Sequence, residues 1–174
     1  NETPSYASPL LIEHKGQKII TTLTEKYLIG VEASTGALLW KFDFGAYAGG
    51  SNGRNNQTNT PIYSEGRLFI SSGYDHKSVM LNLVDDGKSV SVKWIDSVLD
   101  VHHGGVCLIE GYLYGANWTD NRRGNWVCLD WETGKVMYEK EWYNKGSIIS
   151  ADEMLYCYEE KAGHIALVPL NPNN

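Results

Sequence analysis

An all-β fold made of successive four-stranded antiparallel sheets is what this sequence predicts, and three features predict it. A turn-and-strand phrase recurs: "KGQKII" (15–20), "EGRLFI" (65–70), "EGYLYG" (110–115) and "DEMLYC" (152–157) each join a tight turn to alternating apolar residues. The turn residues Gly16, Gly66, Gly111 and Glu153 stand 50, 45 and 42 residues apart, a spacing that marks an internal repeat. Eleven Tyr and six Trp against three Met lean the composition towards strands. No segment carries a capped apolar stripe of helical period, so almost no helix is expected.

The elements of the unit follow in order. A first strand precedes each turn ("SYASPLLI", "TNTPIYS", "GGVCLI", "GSIISA") and the second leaves it. A third apolar run comes next: "KYLIGVEA", "SVMLNLV", "NWVCLDW" and "HIALVPL". Three units then pass through Thr35-Gly36, Asp86-Gly87 and Thr133-Gly134 into a fourth run: "ALLWKFDF", "SVSVKWI" and "KVMYEKEW". Glycine at such a turn supplies the positive φ that a tight hairpin requires. Four short strands every 40–50 residues or so is the pattern of a propeller blade.

The chain therefore reads as one partial β-propeller segment over 1–174, with blades at about 5–44, 57–96 and 102–142 and an incomplete one at about 145–172. No outermost strand follows "GHIALVPLNP". That leaves backbone donors and acceptors unpaired along an open blade edge, so self-association is expected. Trp40 projects from the fourth strand of its unit, where a large flat ring fills the wedge between neighbouring blades. Trp94 and Tyr138 hold the matching positions in the next two units.

Composition narrows the function classes. A net charge of −6 argues against nucleic acid as a partner, because phosphate binding needs a basic surface. No stretch approaches the ~20 apolar residues of a membrane-spanning helix. The opening "NETPSYASPLL" is too polar for a secretory signal. Cys107, Cys128 and Cys157 form an odd set without a CxxC pair, which reads as three buried structural thiols.

Two loop classes share one face of an up-and-down propeller: those that join blades, and those between the second and third strands. Here they gather polar and aromatic residues, namely Arg54, Asn55, Asn56, Gln57, Tyr74, Asp75, His76, His102, His103, Asn117, Trp118 and Lys145, with Asp120, Glu159 and Lys161 nearby. The opposite face has only short turns. Binding residues favour loops held by a rigid scaffold, so these twelve are the candidate ligand-binding set. The stretch "NGRNNQTN" could hold a sugar or carboxylate through amides and a guanidinium, or could satisfy the backbone of its own loop. His102-His103 invites a metal reading, but alternation along a strand sends adjacent side chains to opposite sides. His76 or Asp75 would have to complete such a site; the plainer reading is a histidine bonded to backbone near the channel. No catalytic residue, metal ligand or cofactor is assigned.

At the third turn the chain resembles a known family. "VEASTGALLW" and "CLDWETGKVMY" are similar to the tryptophan-docking repeat of pyrroloquinoline-quinone-type (PQQ-like) β-propellers, with "VDDGKSVSVKW" a degenerate copy. That superfamily includes quinoprotein alcohol dehydrogenases and the lipoprotein propeller of the outer-membrane protein-assembly machinery. Longer stretches such as "HHGGVCLIEGYLYGANW" and "KGSIISADEMLYCYEEK" resemble a bacterial, exported subgroup. The resemblance implies a periplasmic or cell-envelope location. It also implies an alternative function, a partial domain of a quinone- or metal-dependent oxidoreductase using PQQ with calcium. In that family a vicinal cysteine pair lies against the quinone and an Asp serves as base. No two cysteines are adjacent here, and neither Asp75 nor Asp120 sits in an identifying motif. The reading favoured is a non-catalytic binding or scaffolding module that presents its loop-rich face to a protein or carbohydrate-like ligand. Trp118 and Tyr74 could stack on a sugar ring or quinone, or anchor their own loops.

Overall fold

The computed structural model describes residues 2–49 and 55–173. Among these, strands form four antiparallel sheets, each laid down in chain order. The first holds β1 (Leu10–His14), β2 (Gln17–Leu23), β3 (Tyr27–Glu32) and β4 (Leu38–Asp43). The second holds β5 (Ile62–Ser64), β6 (Arg67–Ile70), β7 (Ser78–Val84) and β8 (Ser89–Asp96). The third comprises β9 (Val106–Ile109), β10 (Tyr112–Ala116), β11 (Trp126–Asp130) and β12 (Val136–Lys140). The last has three strands, β13 (Gly146–Ala151), β14 (Met154–Glu159) and β15 (Ile165–Pro169). The helical content of the described residues is two single 3-10 turns, at Gly45–Tyr47 and Asp85–Gly87, so no helix among them is long and apolar enough to cross a membrane. Meandering sheets of this kind are propeller blades, as the repeat predicts.

Local chemistry makes each first hairpin. The two central residues of all four turns have positive φ: Lys15 and Gly16 (49°, 82°), Glu65 and Gly66 (47°, 77°), Glu110 and Gly111 (48°, 82°), Asp152 and Glu153 (52°, 58°). That is the type I′ geometry, whose twist matches the flanking strands. The fourth unit achieves it with two acidic residues and no glycine. Strands start later than the apolar runs suggest, at Leu10 and Ile62. Each follows a proline, Pro9 or Pro61, whose missing N–H cannot join the ladder.

Side-chain alternation turns the sheets into a stack. Ile12, Ile19, Leu23, Leu28 and Trp40 of the first sheet pack on Leu68, Ile70, Val79, Leu81 and Leu83 of the second. The second sheet's other face, with Phe69 and Met80, packs on Leu113, Val127 and Leu129 of the third. Tyr114, Ala116, Trp126 and Cys128 then meet Ile148, Leu155 and Cys157 of the fourth. The core is thus three slabs lying between sheets. A strand covered on both faces loses its alternation: β7 is buried at Ser78, Val79, Met80, Leu81 and Leu83, whereas β15 alternates, with Ile165 65% and Leu167 56% exposed.

The docking residues are in one register. Trp40 lies opposite Gly30, Trp94 opposite Met80 and Tyr138 opposite Cys128, and a register shift follows each position. Trp40 is buried and donates its indole N–H to the Gly87 carbonyl of the second sheet at 3.1 Å. Trp94 likewise donates to the Trp131 carbonyl of the third sheet at 3.2 Å. Its ring covers Gly134, where a Cβ would come within 2.7 Å of the indole. The recurring Thr-Gly turn in the third sheet therefore has two uses: positive φ at Gly134 (72°) and a landing place for the ring of the preceding sheet. All three cysteines are free, Cys128 and Cys157 buried and Cys107 half-buried. Burial pushes the Cys128 and Cys157 thiols up to about 11, so they are poor nucleophiles and act as small core side chains.

Candidate functional site

The long connections collect at one end of the sheets and are laced together by backbone bonds. The Lys77 amide donates to the Tyr47 carbonyl at 3.0 Å, Trp118 to Asp100 at 3.1 Å, and Glu160 to Lys145 at 3.0 Å. The thread between the second and third sheets is Asn59. Its Nδ2 donates to the carbonyls of Val101 (2.6 Å) and His102 (3.1 Å), and Thr58 adds a hydroxyl bond to the latter.

Four of the twelve candidate residues come together around this thread. The Tyr74 ring meets His102 edge-on at 4.5 Å and Trp118 at 5.0 Å. The rings of His102 and His103 lie 3.7 Å apart. Strand alternation would have parted these two histidines, but they sit in a bend before β9 rather than in a strand, so both rings share one side. His102 is buried and His103 exposed. Burial holds the His102 imidazole down at about 4, helped by the positive charges of His103 and Lys145. It is neutral at ordinary pH, and its Nε2 has no protein partner.

Beneath the rings lies Asp100, a residue that sequence reasoning passed over. It is 5% exposed, and its carboxyl receives the amides of Asp75 (3.2 Å) and Trp118 (3.1 Å). Burial pushes its pKa up to about 8 despite those bonds, and the Asp75 charge adds to the rise. Asp100 thus ties two loops to a third while largely protonated at neutral pH. Tyr74 and Asp75 both sit at positive φ, 67° and 60°, a conformation this anchor helps to hold. Beside the cluster a cleft of about 350 Å³ runs between the inner strands β5 and β9, lined in part by Asn59, Thr60, Ser71 and His103.

The remaining candidates do not join this group. His76 is fully buried with its ring 4.0 Å from Phe44, its Nδ1 on the Lys77 carbonyl, and its pKa lowered by burial. Gln57 stitches the first sheet's loops: its carbonyl accepts the Ser5 hydroxyl (2.6 Å) and Tyr6 amide (2.9 Å), and its Nε2 donates to Glu25 (3.3 Å). Asn55 has a buried Oδ1 without a protein partner, and Asn56 is half-buried. Arg54 lies outside the described residues. Asn117 accepts the Asn125 amide (2.7 Å) within its own loop and donates to Glu139 of β12 (3.0 Å). Lys145 is buried, bonding the Asp120 carbonyl at 3.1 Å and Glu160 at 2.7 Å. Glu159 closes the last loop. Burial opposes its charge, but His164 and the amides of Lys161 and Ala162 hold its carboxyl down at about 2. Among the described residues no three His, Cys, Asp or Glu side chains lie close enough to hold a metal ion.

With the fold and this geometry in hand, comparisons place the architecture. No protein-family model matches the chain, and no curated protein matches it. Solved structures do match. The computationally designed Ika4 protein aligns over 98% of this chain and 96% of its own at 9% identity and a TM-score of 0.60. The quinohemoprotein alcohol dehydrogenase ADHIIG of Pseudomonas putida HK5 aligns over 90% of this chain at 14% identity and a TM-score of 0.62. The β-propeller domain of Myceliophteria thermophila Cps50 (Swd1) aligns over 97% at 13% identity and a TM-score of 0.63. The chain spans 28% of the dehydrogenase's length and 59% of the Swd1 domain's. At such identities the likeness is one of fold alone, and the fold is that of a β-propeller.

Proposed function

We propose that the chain is a non-catalytic binding module of an exported β-propeller, and that its loop face takes a carbohydrate-like ligand on the rings of Tyr74, His102, His103 and Trp118. The observation that carries this reading is that cluster, anchored from below by Asp100 and bordered by a polar cleft. Aromatic faces suit the apolar faces of a sugar. Asn59, Thr60 and His103 line the cleft and are the kind of polar residues that orient a ligand in such a place. Support for a non-catalytic role comes from how the acid–base groups are used. Asp100 receives two backbone amides, His76 is walled in by Phe44, and Glu159 is spent on its own loop.

The test is calorimetric titration of the chain with a panel of neutral oligosaccharides, repeated on Trp118→Ala and Tyr74→Ala. Saturable binding that each substitution weakens at least tenfold is the expected result. Tight uptake of PQQ with calcium, followed by dye reduction by an alcohol, would instead establish the oxidoreductase reading.

A further inference from the structure

The three slabs of core are not filled equally. Between the third and fourth sheets lies a cleft of about 240 Å³, walled by Tyr138, Trp126 and Trp142 on one side and by Cys157, Ala166 and Val168 on the other. Register explains the space. Where the first two sheets put the indoles of Trp40 and Trp94, the third has the smaller ring of Tyr138. Two residues further along, Phe42 packs against the first slab, whereas the matching Lys140 is exposed.

The facing wall has shrunk as well. Aligned on their first hairpin turns, Ile70 paired with Val79 and Leu81 paired with Leu68 in the second sheet become Cys157 paired with Ala166 and Val168 paired with Leu155 in the fourth. These exchanges remove volume around Tyr138 and Cys157. The pair Leu28 and Phe42 of the first sheet becomes Trp126 and Lys140 of the third, both of which line the cleft, so bulk is redistributed and a hollow is left beside Tyr138. Its rings are set as walls: Trp126 and Trp142 have centroids 6.1 Å apart at 57°, Tyr114 and Tyr138 6.5 Å apart at 48°. Tyr138, Trp142 and Ala166 are half-buried, and Lys140 is exposed, which leaves the rim side open to entry.

We propose that this cleft is a binding site for a small planar aromatic molecule of about indole size, taken up beside Tyr138, which stands where the first two sheets place the indoles of Trp40 and Trp94. The cleft is larger than the engineered cavities of about 150 Å³ that hold benzene, and tilted aromatic walls favour an aromatic guest. The site is separate from the loop-face cluster, and neither proposal rests on the other.

The test uses indole itself, titrated into the whole chain by calorimetry and followed through the Trp126 side-chain N–H resonance. Tyr138→Trp fills the cleft from one wall. The double variant Cys157→Ile with Ala166→Val fills it from the other and guards against one variant failing to fold. Saturable binding to the wild type, weakened at least tenfold by both fillings and unchanged by Trp118→Ala, is expected. No saturable binding, or binding that survives both fillings, would overturn the proposal, as would binding lost in Trp118→Ala.

Discussion

Trp40 and Gly87 join the first sheet to the second: the indole N–H of one meets the carbonyl oxygen of the other at 3.1 Å in a buried setting. Both the ring's area and its one polar atom are thereby satisfied. Trp40→Ala removes the whole side chain from the first slab, a truncation that costs about 3–5 kcal/mol in a core. Trp40→Phe keeps much of the packing but leaves the Gly87 carbonyl without its donor, for a smaller loss of about 1–3 kcal/mol. Urea unfolding of the two variants checks the order; equal stability of Trp40→Ala and wild type would remove the ring from its assigned place.

Gly30 is the floor under that ring. A Cβ there would stand 2.2 Å from the indole, and a wall of β-sheet backbone cannot retreat by an ångström. Gly30→Ala is expected to destabilise the native chain by on the order of 2 kcal/mol as the indole is pushed out. In the Trp40→Ala background the same change should be nearly neutral, because the added methyl then meets space. A double-mutant cycle measures this directly, and additive losses would show that Gly30 is needed for some reason other than the ring.

The loop cluster predicts a pH dependence with a definite sign. Asp100 is raised to about 8 by burial, from 3.8 unperturbed, so the folded state binds more protons than the unfolded one across that range and stability falls as pH rises. His102 is lowered to about 4 from 6.5, so there the unfolded state binds more protons and stability rises with pH from 4 to 6.5. The two oppose each other up to pH 6.5. Above it only the Asp100 contribution remains, a loss of about 2 kcal/mol by pH 8 at 1.36 kcal/mol per pH unit. Asp100→Asn should abolish this decline, so that whatever gap separates variant from wild type at pH 6.5 shifts in the variant's favour by about 2 kcal/mol at pH 8. Denaturant midpoints at pH 6.5 and 8 for both chains test it; a parallel decline in the variant would assign the effect elsewhere.

How much of this was legible beforehand divides by distance along the chain. The hairpin turns were readable because positive φ is a property of one or two residues: Lys15-Gly16, Glu65-Gly66 and Glu110-Gly111 announce it, and Asp152-Glu153 was found by its place in the repeat. The blade count and the position of Trp40, Trp94 and Tyr138 were readable too, since period-two alternation carries a residue's face with it. The mouth was legible only as a set of loops. Of its twelve named residues, Tyr74, His102, His103 and Trp118 gather, while His76, Gln57, Asn117 and Lys145 are buried and hold the surrounding backbone and side chains together. The anchors Asp100 and Asn59 gave no sign of their importance; an Asp and an Asn in loops look alike whether solvated or buried.

Patterns written within a few residues, such as turn dihedrals, strand faces and the spacing of large rings, need nothing but the chain to declare them, because local sterics and side-chain alternation act at that range. The pairing of His102 with His103, the burial of Asp100 and the hollow beside Tyr138 arise from groups tens of residues apart that meet only after the sheets stack. Their energies depend on what lies across the gap, and the gap exists only in the folded molecule.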